Sequence, residues 1–337
     1  MALVTDAAIR VEGLVKRFGE IPALDGVDFE VPAGSVFGLL GPNGAGKTTA
    51  VRVLTTVLSP DAGRAEVLGL DVVNDAVAVR YVIGLAGQNA AVDGNLTGRE
   101  NLRLMGKLGQ LPRPEINPRA DELLERFDLV EAADRPVRTY SGGMRRRLDV
   151  GAALVSKPTV LFLDEPTTGL DLHSRNSLWE MIRELVREGT TVLLTTQYLE
   201  EADRLAQRIA VVDHGHVIAN DTPAALKAEL GNTVIEVGFP SERAATRAAK
   251  LLAGKLARRP EREGTLVRFT SEGPGVLIDV LRSLDAAKLK PGGLSVREPS
   301  LDDVFLALTG RHAEPAADEP EAEAEPARER ARARGAA

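Results

Sequence analysis

Residues 41–49 (Gly41, Pro42, Asn43, Gly44, Ala45, Gly46, Lys47, Thr48 and Thr49) put three glycines, a cation and two hydroxyls into one short segment. The spacing is glycine, four residues, glycine, lysine, hydroxyl. Glycines let the backbone bend tightly, so successive N–H groups can point inward at phosphate oxygens. Lys47 supplies charge for the outer phosphates, and Thr48 offers a hydroxyl to Mg²⁺. A helix starting here adds its positive dipole end. The chemistry these residues suit is binding of a nucleoside triphosphate.

Three further groups could act on such a ligand. The apolar run Val160 to Leu163 ends in Asp164 and Glu165. Ligands of open α/β sheets gather at the carboxyl ends of strands, and neighbouring strand side chains point to opposite faces. Two adjacent acids can therefore take two roles. One carboxylate can hold Mg²⁺, mostly through water, and the next can accept a proton from an attacking water. Gln197 follows a second apolar run, residues 190–196, and precedes an acidic stretch. Its amide offers both a donor and an acceptor and never titrates. It can orient a phosphate or a water but cannot shuttle a proton. Ser141, followed by Gly142 and Gly143, reads as a helix cap with bare N–H groups facing a second anion. One chain with one phosphate loop has no obvious use for both termini; two copies packed head to tail do.

The elements that position these groups alternate. Apolar segments at 35–41, 81–87, 159–165 and 190–196 read as buried strands, with helical spacing at 46–58 and 178–188. That pattern favours the α/β class, a largely parallel sheet with helices on both faces. Residues 89–157 lack such strands and read as a helical subdomain. The first domain is placed at 1–230. Residues 231–311 read as a small α+β domain, with strands at 233–239, 265–271 and 294–298 and helices near 241–253, 275–287 and 301–309. Residues 312–337 are rich in Ala, Pro, Glu and Arg and cannot bury enough apolar surface to offset ordering entropy, so disorder is expected there.

Composition narrows the class. A chain of 337 residues has room for two domains, and 44% apolar with 27% charged residues is ordinary for a soluble globular protein. The net charge of −7 argues against a nucleic-acid partner. No run approaches the roughly 18 apolar residues that span a bilayer, and the first ten residues lack the features of a signal peptide. The absence of cysteine excludes disulfides and thiolate metal sites. A membrane would be met through a partner.

Over residues 9 to about 222 the chain resembles an ATP-binding-cassette (ABC) ATPase, the nucleotide-binding domain of a transporter. The likeness is carried by 41–49 as Walker A, 140–144 as the signature, 160–166 as Walker B and 169–171 as the D-loop. The resemblance implies a P-loop NTPase fold, a RecA-like core plus helical subdomain, with ATP and Mg²⁺ as ligands. It implies that Phe18 stacks on adenine, that Gln88 touches Mg²⁺ and signals to a membrane subunit, and that Asp171 lies at a dimer interface. It further implies a homodimer holding two ATP molecules. Each would lie between one subunit's Walker A and the other's Ser141, Gly142 and Gly143. A separate polytopic permease would place the dimer at the cytoplasmic face of the membrane. Tyr140 and Met144 depart from the commonest LSGGQ signature but leave its serine and glycines intact.

Within that family the chain is similar to the daunorubicin/doxorubicin-resistance type of exporter subunit. Residues 297–311 match the terminal motif of that type, and Gln197 stands where most ABC ATPases carry His. The expected cargo is a hydrophobic drug or secondary metabolite. Glu165 fills the base position, so hydrolysis is expected, with Lys47 on the phosphates and Gln197 as a neutral positioning group. The alternatives are an ATP-gated ABC protein without turnover or transport, and a transporter subunit for lipid or other cargo.

Overall fold

A computed structural model of the chain describes residues 7–88, 91–231, 233–256, 260–271 and 275–310. The tail expected to be disordered, 312–337, lies outside the described residues. The chain opens with β1 (Ala7–Phe18) and β2 (Ile21–Pro32), an antiparallel pair. Then come β3 (Val36–Leu40), α1 (Lys47–Leu54), β4 (Ala62–Val67), β5 (Leu70–Asp71), α2 (Ala76–Val82) and β6 (Ile83–Ala86). The helices α3 (Gly98–Leu108), α4 (Arg113–Arg126) and α5 (Gly142–Ala153) fill the region read as helical. They lead to β7 (Val160–Asp164), α6 (Leu172–Arg187), β8 (Thr191–Thr196), α7 (Leu199–Leu205), β9 (Arg208–Asp213), β10 (His216–Asp221) and α8 (Pro223–Ala228).

The central sheet runs β10-β9-β3-β8-β7-β6, with every neighbouring pair parallel except β10 with β9. Its inner strands β3, β7 and β8 are buried on both faces, which is why they read as largely apolar runs. Side chains alternate between two cores: Val36 and Leu40 enter one, Phe37 and Leu39 the other. The first core holds α5, α6 and α7 with the helical subdomain. The second holds α1 together with a sheet that the sequence reading did not anticipate, β2-β1-β4-β5. Helices do cover both faces, as expected, but α1 shares its face with an antiparallel sheet. The stacked rings of Phe29 and Phe37, 5.3 Å apart, join the two sheets. Helix α1 also stops earlier than expected, at Leu54, because Thr56 turns left-handed at φ +63°. Tyr81 and Val82, read as strand, belong to α2.

A third sheet follows, built from β11 (Thr233–Gly238), α9 (Glu242–Ala253), β12 (Glu261–Glu263), β13 (Leu266–Ser271), α10 (Gly275–Ala286) and β14 (Gly293–Arg297). Its order is β12-β13-β11-β14, a β-α-β-β-α-β arrangement. β12 is three exposed charged residues without alternation and was invisible in the sequence. Ile235, Val237, Val267 and Phe269 pack against Ala245, Ala248 and Leu284 on one face. The last helix, α11 (Leu301–Thr309), leaves this sheet and buries Leu301, Val304 and Phe305 in the first core, with Ala202 and Leu226 of α7 and α8.

A charged cluster fastens α11 to the third sheet. Arg297 makes a two-pronged contact with Asp303, at 2.6 and 2.9 Å, and reaches Glu236 at 3.0 Å. Arg268 donates to the same Glu236 oxygen at 2.9 Å. Ser300 and Asp303 close a capping box at the start of α11. Burial pushes the Asp303 carboxyl up, but the hydrogen bonds from Arg297 and Ser300 outweigh it and hold the group at about 2. An acid held below its unfolded value contributes stability above about pH 3.9, lost as pH falls toward 2. Asp303→Ala should cost about 3 kcal/mol, the lower end for breaking a buried pair, because Arg297 is partly exposed. Urea unfolding followed by Trp179, the chain's one tryptophan, measures it.

Candidate functional site

The parallel register decides which loops meet. Leu40 pairs with Thr196, and Gly41 N–H donates to the Thr196 carbonyl at 3.3 Å. Asp164 is level with Thr195 one strand over, and Ala86 with Leu163 beyond that. The carboxyl ends of β3, β8, β7 and β6 therefore present, side by side, the glycine loop, Gln197, Asp164 with Glu165, and the segment leading to Gln88. Such an end is where ligands of α/β sheets bind.

The loop is shaped for close backbone approach. Gly44 and Gly46 lie at φ +80° and +111°. A Cβ on Gly41 would fall 2.2 Å from the Val212 carbonyl, and one on Gly46 would fall 2.4 Å from that of Ala23. Gly46 precedes α1, so Lys47, Thr48 and Thr49 form its first turn. The buried Lys47 amine folds back on the loop, donating to the carbonyls of Gly41 (2.7 Å) and Pro42 (3.1 Å). It also lies 3.6 Å from Glu165 Oε1. Thr48 Oγ1 donates to Asp164 Oδ1 at 3.2 Å, and Thr195 Oγ1 donates to the same oxygen.

Glu165 stands at φ +47°, a left-handed conformation uncommon outside glycine. Such strain costs on the order of 1–3 kcal/mol and persists only when the surroundings over-determine it. Thr195 holds the Glu165 N–H with its carbonyl (3.2 Å) and its hydroxyl (3.0 Å). Gln197 lies just past β8, with its Oε1 buried and without a hydrogen-bond partner among the described residues. Leaving a buried acceptor unpaired costs roughly 1–3 kcal/mol. An orphaned amide oxygen, a lysine satisfied by its own loop and a hydroxyl–carboxylate pair fit a triphosphate with a magnesium ion. That ion typically needs one or two carboxylates, with phosphate and water completing its shell. Gln88 is exposed two residues beyond β6.

The remaining predicted residues lie around this end. Ser141 caps α5, its oxygen accepting from Met144 N–H at 3.2 Å. A side chain on Gly142 would meet nothing within 4 Å, whereas one on Gly143 would strike Ser174 Oγ at 2.5 Å. Asp171 caps α6 through Ser174 N–H at 2.7 Å. The serine-led terminus thus abuts the start of α6, and a cleft of about 500 Å³, lined by Gln88, Gly142, Glu165 and Gly169, lies between these segments. Phe18 ends β1 and is 48% exposed, with the Lys16 ammonium 5.9 Å from its ring centre. The contact of Gly46 with Ala23 sets the β1–β2 hairpin beside the loop.

Three residues escaped the sequence reading. Arg146 sits in a run of three arginines that looks like a solvated face, and Asp149, three positions on, was the only hint of a pair. In the structure Arg146 is buried. It donates to the carbonyls of Gly87 (2.6 Å), Asp164 (3.1 Å) and Pro166 (2.9 Å) and pairs with Asp149 at 3.0 Å. Asp149 in turn accepts from Ala91 N–H at 2.7 Å. Burial pushes the guanidinium down and the Asp149 carboxyl up, each opposed by the other's charge. Glu201, four residues after Gln197, is fully buried and accepts from Trp179 Nε1 at 3.1 Å.

Fold and site together define a P-loop nucleotide-binding cassette. The family described as ABC transporter matches residues 24–168. The daunorubicin resistance ATP-binding protein DrrA2 of Streptomyces coeruleorubidus is 52% identical over 310 residues, covering 91% of this chain and 96% of that protein. The daunorubicin/doxorubicin resistance ATP-binding protein DrrA of Streptomyces peucetius is 48% identical, covering 94% and 97%. The Nod factor export ATP-binding protein I of Ralstonia nicotianae is 43% identical, covering 90% and 94%. A solved ATP-binding subunit of an ABC transporter superposes with TM-score 0.61 at 26% identity, over 66% of this chain and 92% of that one. The chain belongs to the ABC transporter ATP-binding family, within its daunorubicin-resistance branch.

Burial pushes the Glu201 carboxyl above its ordinary value of about 4.3. The folded chain holds this proton more tightly than the unfolded one. The site's stability contribution is therefore full below about pH 4.3 and is lost as pH rises through the folded value. Glu201→Gln keeps an acceptor for Trp179 and cannot ionise. Thermal melts across pH should show the variant more stable than its parent near neutrality, with the gap closing toward pH 4.

Proposed function

We propose that this chain is the ATP-binding and ATP-hydrolysing subunit of an ABC exporter. The observation that carries the reading is the alignment of strand ends that brings Lys47, Thr48, Asp164, Glu165 and Gln197 to one place. Lys47 and the loop N–H groups bind the β- and γ-phosphates. Thr48 and Asp164, with Gln88 alongside, would hold magnesium, which neutralises phosphate charge when bound. The Glu165 carboxylate takes a proton from the attacking water. The Gln197 amide, whose buried oxygen lacks a partner, turns its NH₂ toward the γ-phosphate or its oxygen toward the water. Phe18 stacks on the base.

Two copies close over two nucleotides, each adding Ser141, Gly142 and Gly143 to the other's phosphates. The open space in front of Gly142 supports that role. Closure works as a switch because the closed pair makes phosphate contacts that the open pair lacks. No helix among the described residues is long and apolar enough to cross a membrane. In this reading translocation falls to a separate permease with the dimer at its cytoplasmic side, which the relatives named as export ATP-binding proteins support. Exposed Val77 and Tyr81 on α2 and Leu104 and Leu108 on α3 offer it an apolar landing face. The names of the relatives, daunorubicin resistance and Nod factor export, support a hydrophobic drug or secondary metabolite as cargo.

Phosphate release from Mg-ATP tests the chemistry. Glu165→Gln should lower turnover by about 10²- to 10⁴-fold and accumulate ATP-bound dimers in size-exclusion chromatography. Unchanged turnover would refute the base. Gln197→Ala should slow the reaction while Gln197→His is tolerated; an unaltered rate and ATP affinity in Gln197→Ala would reduce the residue to surface.

A further inference from the structure

We infer that Arg146, braced by Asp149, is a positioning residue that sets the Glu165 peptide and ties it to the loop carrying Gln88. The inference rests on Glu165 acting as the base. Glu165 sits between Asp164 and Pro166, whose carbonyls both accept from one guanidinium. On its other side Thr195 holds its N–H. The left-handed backbone at Glu165 is thus clamped from two directions, as a strained conformation requires.

The same guanidinium takes the Gly87 carbonyl, one residue before Gln88. Its counter-ion Asp149 takes the Ala91 N–H on the far side of that segment. A buried, planar fork with fixed donor directions cannot let one of these segments shift alone. Movement of the Gln88 loop is therefore passed to the Glu165 peptide through Arg146, and both are referred to α5, whose N-cap is Ser141. Lysine, a compact point charge, cannot span the four acceptors.

Steady-state phosphate release and nucleotide binding by the full chain, under conditions where the parent turns over, test the inference on Arg146→Lys and Asp149→Asn. Asp149→Asn keeps an acceptor for Ala91 and removes the charge that braces the arginine. For Arg146→Lys we expect kcat to fall about 10- to 100-fold, the scale of a misplaced catalytic group, with KM and ATP affinity within about threefold of the parent. Asp149→Asn should move kcat in the same direction by a smaller factor, with an intact melting transition. An unchanged kcat in both variants overturns the inference. So does a parallel loss of kcat, ATP affinity and melting temperature in both, which marks a structural pair only. Glu165→Gln, run alongside, separates the two levels. Lost turnover there beside parental rates in both Arg146→Lys and Asp149→Asn sinks the inference alone; retained turnover there sinks the base and the inference with it.

Discussion

The parallel hydrogen-bond ladder through β3, β8, β7 and β6 is the constraint on which the rest of the site depends. β3, β8 and β7 are buried on both faces, so a slip of one residue there would reverse every side chain between two filled cores. The register is therefore fixed, and with it the level at which each chemical group leaves the sheet. Gly41, Glu165 and Gln197 are remote in the chain yet adjacent in space because Leu40, Asp164 and Thr196 end neighbouring rungs. No side-chain contact needs to recruit them.

Charge is handled differently at the two ends of the molecule. At the candidate site, Lys47, Asp164 and Glu165 are largely buried and close together: loop carbonyls hold Lys47, threonine hydroxyls hold Asp164, and the Glu165 carboxylate lies 3.6 Å from the Lys47 amine. Buried polar groups at low dielectric interact strongly and are costly when unpaired. Neutral partners of Lys47 and Asp164 keep the site formed while the Gln197 oxygen has no partner among the described residues. In the C-terminal cluster, by contrast, carboxylates and guanidinia satisfy one another directly, and the product is attachment rather than chemistry.

That attachment reaches back toward the site. α11 carries the cluster's Asp303 on one side and packs Val304 and Phe305 into the first core on the other. Its neighbours there include α7, which begins two residues after Gln197. The third sheet is thus linked through one short helix to the element that follows the orphaned amide. Arg175 adds a nearer link: it donates to the Leu170 carbonyl beside Asp171 and stacks over Tyr198, 5.1 Å from the ring centre.

Much of this was legible in the chain itself. The phosphate loop, the acid pair, the serine cap and the four parallel strands all announce themselves locally, through glycine spacing, apolar runs and polar residues at their ends. Local signals are strong where a segment is buried on both faces or must adopt a turn that few residues allow. β12 gave no such signal, since Glu261–Glu263 is an exposed, charged edge strand paired to β13. The sheet of β1, β2, β4 and β5 hid because its covering role exists only once Phe29 meets Phe37. Arg146 is the sharpest case. Its sequence neighbours make it look solvated, and its burial follows from three carbonyls supplied by segments 18 to 59 positions away. The sequence by itself determined which groups can do chemistry and where strands end. Tertiary structure alone decided which of those ends are neighbours and which charges lose their water, because both depend on contacts that no local stretch of chain contains.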